Sequence, residues 1–174
     1  MLKKSLLKAA AAAASLFTLA LSAQAQSTPA TTVHGSWSVE CSGQGKHCAA
    51  TQKVTTDKAG QKTVLGVIVE PVSGKADAQL TFRMTSKAYV PAGAGIKIGK
   101  HKPLRAPISS CDDKVCEVRA WLTPELKRQM SSEKLLIFAY FIDAKRQVSL
   151  PVSLQGFPAA LERLNKLQAP ARPQ

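Results

Sequence analysis

Leu135-Leu136-Ile137-Phe138-Ala139-Tyr140-Phe141-Ile142 is apolar at every position, and its reading decides the fold. The run is rich in aromatic and branched side chains and is bounded by Lys134 and Asp143, which suits a short strand. In an extended chain Leu135, Ile137, Ala139 and Phe141 share one face, while Leu136, Phe138, Tyr140 and Ile142 share the other. Both faces are therefore expected to be covered, with the strand central in its sheet. Ala144-Lys145-Arg146 supplies a turn, and Gln147 to Ser153 returns as the second arm of a hairpin. Val64 to Val69 is also apolar throughout and is expected to be buried on both faces. Two such segments require a filled core, whereas an outer-membrane barrel alternates an apolar outside with a polar lumen.

Outward from these segments the pattern stays β. Trp37, Val39 and Cys41 alternate with Ser36, Ser38 and Glu40, and Leu80, Phe82 and Met84 alternate with Thr81, Arg83 and Thr85. Cys48 to Val54, Thr63 to Glu70, the segment around Ile96 and Ile98, and Val115 to Trp121 read as further strands. Helical cues occur twice. Thr123-Pro124-Glu125 offers an N-cap hydroxyl, a first-turn proline and an acid near the positive end of the dipole, predicting a short helix over Pro124 to Met130. Phe157, Ala160, Leu161, Leu164 and Leu167 then recur at helical spacing, predicting a C-terminal amphipathic helix against the sheets. The expected fold class is mainly β: an antiparallel β-sandwich or irregular barrel with a short internal helix and that C-terminal helix.

At the other end, Lys3, Lys4 and Lys8 precede an uncharged run that closes on Ala23-Gln24-Ala25, the layout of a secretory signal peptide over residues 1–25. Its apolar run, roughly 13 residues, is shorter than the ~20 that span a bilayer as a helix. Residues 26–33 then read as a flexible leader, 34–168 as one domain and 169–174 as a disordered tail. The expected location is outside the cytoplasm, in the periplasm or at the outer surface of a Gram-negative cell, with no transmembrane helix after cleavage. Without its first 25 residues the chain keeps 21 Lys and Arg against 11 Asp and Glu, a net charge of +10. Such an excess points to acidic partners, and export makes nucleic acid an unsuitable one. An anionic envelope component, a host surface or an acidic protein remains.

Four cysteines in an exported chain read as two disulfides. Of the three connectivities open to them, Cys41 with Cys48 and Cys111 with Cys116 need only tight turns to meet, across Gly43 and Gly45 in one case and Asp112 and Asp113 in the other. Oxidised sulfurs are not thiolate ligands, and His34, His47 and His101 repeat no ligand spacing, so no metal and no cofactor are expected.

Several stretches resemble the invasion-associated locus B family: Gly66-Val67-Ile68-Val69-Glu70-Pro71, the strand between Cys111/Cys116 and Trp121, and above all Leu150-Pro151-Val152-Ser153-Leu154-Gln155-Gly156-Phe157-Pro158-Ala159-Ala160-Leu161. Trp37 and Cys41 complete the likeness, which runs from about Trp37 to Leu164. Tyr89-Val90-Pro91-Ala92-Gly93-Ala94-Gly95-Ile96 stands where the family carries a leucine-rich V-P-L-G-x-x-L segment. The resemblance implies an exported β-rich domain of the proteobacterial envelope, implicated in host-cell entry in some pathogens, with no established enzymatic activity.

No residues of this chain are expected to be catalytic. Ser131-Ser132-Glu133-Lys134 spells S-x-x-K, but neither S-D-N nor K-T-G accompanies it. The candidate contact for an anionic partner is Lys97, Lys100, Lys102 and Arg105, four cations in nine residues with no acid between Asp77 and Asp112. An extended path would send Lys100 and Lys102 to one face. Two function classes follow: a binding or adhesion module with this basic stripe as its contact, or a periplasmic assembly or chaperone-like factor that grips client proteins through apolar grooves or sheet edges.

Overall fold

The computed structural model describes residues 31–42, 47–56 and 62–168. The signal peptide, most of the leader and the tail lie outside them.

Among the described residues, eleven strands form two antiparallel sheets. The chain runs β1 (Thr32–His34), β2 (Trp37–Ser42), β3 (His47–Thr55), β4 (Thr63–Glu70) and β5 (Ala78–Thr85) as consecutive neighbours in the large sheet. It then leaves for β6 (Ala94–Ile98) and β7 (Leu104–Ala106) of the small sheet, and returns through β8 (Ser110–Cys111) and β9 (Val115–Leu122). Helix α1 (Pro124–Ser132) leads back to the small sheet for β10 (Leu135–Phe141) and β11 (Gln147–Ser153), and α2 (Phe157–Gln168) ends the fold. The orders are β1-β2-β3-β4-β5-β9-β8 and β11-β10-β6-β7. Neither sheet closes, so the sandwich alternative holds and the barrel does not.

Period-two alternation puts one face of the longer strands in the core. Leu65, Val67 and Val69 of β4, Leu80 and Phe82 of β5, and Leu136 and Phe138 of β10 are fully buried. Phe82 and Phe138 stack across the two sheets with ring centroids 4.6 Å apart. The large sheet is wider than the small one, and α2 packs on β1, β2 and β3. Phe157, Ala160, Leu161 and Leu164 form its buried stripe, with the Phe157 ring edge-on to Trp37 at 5.1 Å. In α1 the Thr123 hydroxyl accepts the Leu126 N–H at 3.3 Å, and Leu126 and Met130, one turn apart, face the core.

Both disulfides have the expected partners, Cys41 with Cys48 and Cys111 with Cys116. Each joins residues directly opposite one another, across β2 and β3 or across β8 and β9.

Three details differ from the expectation. β10 and β4 are central, but the outward positions Ile137, Ala139 and Phe141, and Val64, Gly66 and Ile68, are only half-buried, because no further layer of the described residues covers the outsides of the sandwich. Pairing with β2 carries the fold out to Thr32, inside the stretch read as leader. The segment after Ile98 is also not extended: His101 N donates to Ile98 O at 2.9 Å and Gly99 takes φ +46°, which makes a tight turn between β6 and β7.

Candidate functional site

The four cations singled out in the sequence are all exposed, but the turn at Gly99 separates them. Lys97 and Arg105 lie on the outer face of the small sheet, Arg105 opposite Gly95 and Lys97 opposite Ile137. Lys100 sits on the turn and Lys102 beyond it. An acid enters in space where none stands in sequence, because Glu133, the C-cap of α1, brings its carboxylate to 3.6 Å from His101 Nε2. This cluster is an exposed edge that the turn divides, with an acid beside its His101.

A concave site forms instead on the outside of the large sheet. Antiparallel register places Lys53 of β3, Gly66 of β4 and Arg83 of β5 side by side in one row. All three belong to the outward set, since their strand neighbours Gln52, Leu65, Val67, Phe82 and Met84 are buried. Gly66 leaves a gap between two long cationic side chains. Val64 and Ile68 flank that gap along β4, and Val115 of β9 adds a third apolar wall. The resulting cleft encloses about 910 Å³ and reaches Tyr140 of the small sheet, so it runs round to the seam between the sheets.

Charge around the cleft is one-sided. Its lining holds Lys53, Lys62, Arg83, Lys87 and Lys114 against one acid, Glu40. Arg83 is paired, its Nε 2.8 Å from a Glu117 carboxylate oxygen, and Glu117 also receives Arg119 at 2.6 Å. Lys53, Lys87 and Lys114 make no ion pair with any described residue. Lys114 is held near the rim by its own turn, where its N–H and that of Val115 both donate to Asp112 Oδ1 at 2.7 Å. Those two bonds hold the Asp112 carboxyl below the usual carboxylate range. At the seam, burial pushes the Tyr140 phenol up, and Gln52 Oε1 is enclosed without a hydrogen-bond donor.

Sequence reading missed this site because Lys53, Gly66, Arg83 and Lys114 are scattered and meet only through register. One local signal was present: a glycine in the middle of the otherwise branched Val64–Val69 run.

Among the described residues no group of three or more His, Cys, Asp or Glu could hold a metal ion. No helix among them is long and apolar enough to cross a membrane. The longer edge strand, β11, is poorly suited to strand addition. Leu154 N donates to Lys134 O and Ile142 N to Arg146 O, so the even-numbered residues of β11 bond inward to β10. The odd-numbered ones face the free edge, where Pro151 has no N–H and the Ser153 carbonyl already accepts Trp37 Nε1 at 3.0 Å.

Residues 37–165 match the family model described as Invasion associated locus B (IalB) protein. The crystal structure of invasion associated protein B from Bartonella henselae superposes with a TM-score of 0.71 at 23% identity, covering 80% of this chain and 98% of that one. That likeness shows a shared fold. Among curated proteins none matches significantly.

Proposed function

Since the chain belongs to the invasion-associated locus B family, we propose that it is an exported, non-enzymatic envelope protein that binds an anionic partner. The observation that carries this reading is the cleft of the large sheet, where Lys53, Lys87 and Lys114, without an ion pair to any described residue, stand against one acid of the lining, Glu40. Field lines from like charges around a low-dielectric concavity concentrate there, which draws in and orients a negatively charged ligand. The exposed Lys97, Lys100, Lys102 and Arg105 extend the positive field and serve as an outlying contact. Two disulfides on neighbouring strands suit an oxidising compartment, either the periplasm or the cell surface. The partner is an envelope component, a host surface or an acidic protein.

Retention of the folded protein, residues 26–174, on immobilised heparin tests the charge reading without any lipid. The parent should bind at low ionic strength and elute well before about 1 M salt, where the screening length falls to ~3 Å. Changing Lys53, Lys87 and Lys114 together to Gln should move elution to lower salt by more than the same change at Lys97, Lys100, Lys102 and Arg105. Retention that ignores salt, or that survives both sets of substitutions, would overturn the proposal.

A further inference from the structure

Gly66 has no local reason to be glycine. It sits mid-strand without a left-handed φ, and a Cβ built on it would meet nothing closer than Arg83 Cβ at 3.8 Å, an ordinary contact. Glycine in a strand interior weakens the strand, and where backbone geometry does not require it, it marks a place where something else approaches the backbone. Here the missing side chain opens the apolar floor of the cleft between Val64 and Ile68, with Lys53 on one side and Arg83 on the other. A volume of about 910 Å³ is that of a small-molecule site.

Resting on the reading of this cleft as the anionic-partner site, we propose that its occupant is a single anionic lipid. One acyl chain lies across Gly66, against Val64, Ile68 and Val115, and the phosphate or carboxylate head is held at the rim by Lys87 and Lys114, which the Thr85–Val115 pairing brings together at one end of the cleft. Charge complementarity selects the head and the apolar floor selects the chain, so neither a free polyanion nor a neutral detergent satisfies both. The head group does not need the Arg83 guanidinium, which is already engaged by Glu117. The side chain at position 66 thus sets specificity, because any larger residue would occupy the chain's path while leaving the rim cations in place.

Dodecyl phosphate, used as monomer below its micelle-forming concentration, is a suitable probe, with dodecyl maltoside as the neutral counterpart. Titration calorimetry should show the phosphate binding at least about tenfold more tightly than the maltoside. Gly66→Ala and Gly66→Leu should weaken dodecyl phosphate progressively, by about tenfold or more for leucine, while heparin retention stays at the parental salt concentration. Because a Cβ is accommodated and leucine favours a strand more than glycine does, melting temperatures of both variants should equal or exceed the parent's. Undiminished dodecyl phosphate binding by a folded Gly66→Leu protein would overturn the lipid assignment and leave the electrostatic reading standing. Equal binding of phosphate and maltoside would overturn it from the other side, as would loss of heparin retention in Gly66→Leu.

Discussion

Gly35 and Gly156 meet backbone to backbone. Gly35 turns β1 into β2 with φ +58°, and Gly156 turns the end of β11 into α2 with φ +87°. A Cβ on Gly156 would collide with the His34 carbonyl oxygen and lie 2.9 Å from Gly35 N, and one on Gly35 would lie 2.6 Å from Gln155 O. Ser36 N donates to Gln155 O at 3.0 Å and Trp37 Nε1 to Ser153 O at 3.0 Å, so the contact works as a clasp that ties the first hairpin to the last turn. Gly156→Ala should therefore cost more than the ~1–2 kcal/mol of a left-handed alanine, because two backbone segments must also part. Gly74, at φ +72° with nothing within 4 Å, is the matched control. In urea denaturation Gly74→Ala should lose only the conformational part. Equal losses at the two positions would mean that the clasp contributes nothing.

Phe157 follows that clasp directly and is fully buried against Trp37. Phe157→Ala should destabilise the domain by about 3–5 kcal/mol, the usual cost of emptying a large aromatic site. An unchanged urea midpoint would show α2 to be an appendage and not part of the core.

These two residues also show how far the sequence could be read. Alternation in Trp37–Cys41 and Leu80–Thr85, and the helical spacing of Phe157, Leu161 and Leu164, reveal the buried faces because one dominant force, apolar burial, sets them all, whereas Leu135–Ile142, apolar on both faces, shows a strand but not which side is covered. Strands β1, β7 and β8 have three, three and two residues, too few for any period to register, and neighbouring strands alone place them. The clasp was legible as a motif, with Gly156 between strand and helix, but not its partner at Gly35, 121 positions earlier. Charge was the least legible property. Lys97 to Arg105 formed a dense basic run in sequence, yet a turn and Glu133 break it up, while the cleft draws its cations from several strands and turns.

The pH dependence of stability follows from two turn aspartates, Glu162 held low by its bond to Lys166, and one tyrosine. Asp112 and Asp143 each accept two backbone N–H bonds, and the carboxyls of both are held low, by Val115 and Lys114 N–H in one case and by Lys145 N–H with Arg146 in the other. A depressed carboxyl contributes stability that is present above its unfolded value, about 3.9, and is lost as pH falls through the lower folded value. Tyr140 is raised by burial, so the unfolded chain ionises first and stability declines as pH rises beyond about 10. Melting temperature should thus be nearly level across neutral pH and fall below about pH 4. The double variant Asp112→Asn, Asp143→Asn should fall less steeply in acid. An acid limb identical to the parent's would exclude these two turns as its source.

Pro151 protects the exposed side of β11. Opposite Ile137, it lies between the inward-bonded residues Leu150 and Val152, so its nitrogen points to the free edge of the small sheet. Proline costs nothing in hydrogen bonding there and removes a donor that another strand would use. With the Ser153 carbonyl occupied by Trp37, only Gln147 and Ser149 keep both backbone groups available on that edge. Replacing the proline with a good strand former, Pro151→Val, should leave the fold intact, because the β10 ladder loses no bond, and should restore the missing donor to the edge. Sedimentation should then show self-association of the variant at concentrations where the parent sediments without concentration dependence. If Pro151→Val sediments like the parent, the edge is guarded by something other than its missing N–H.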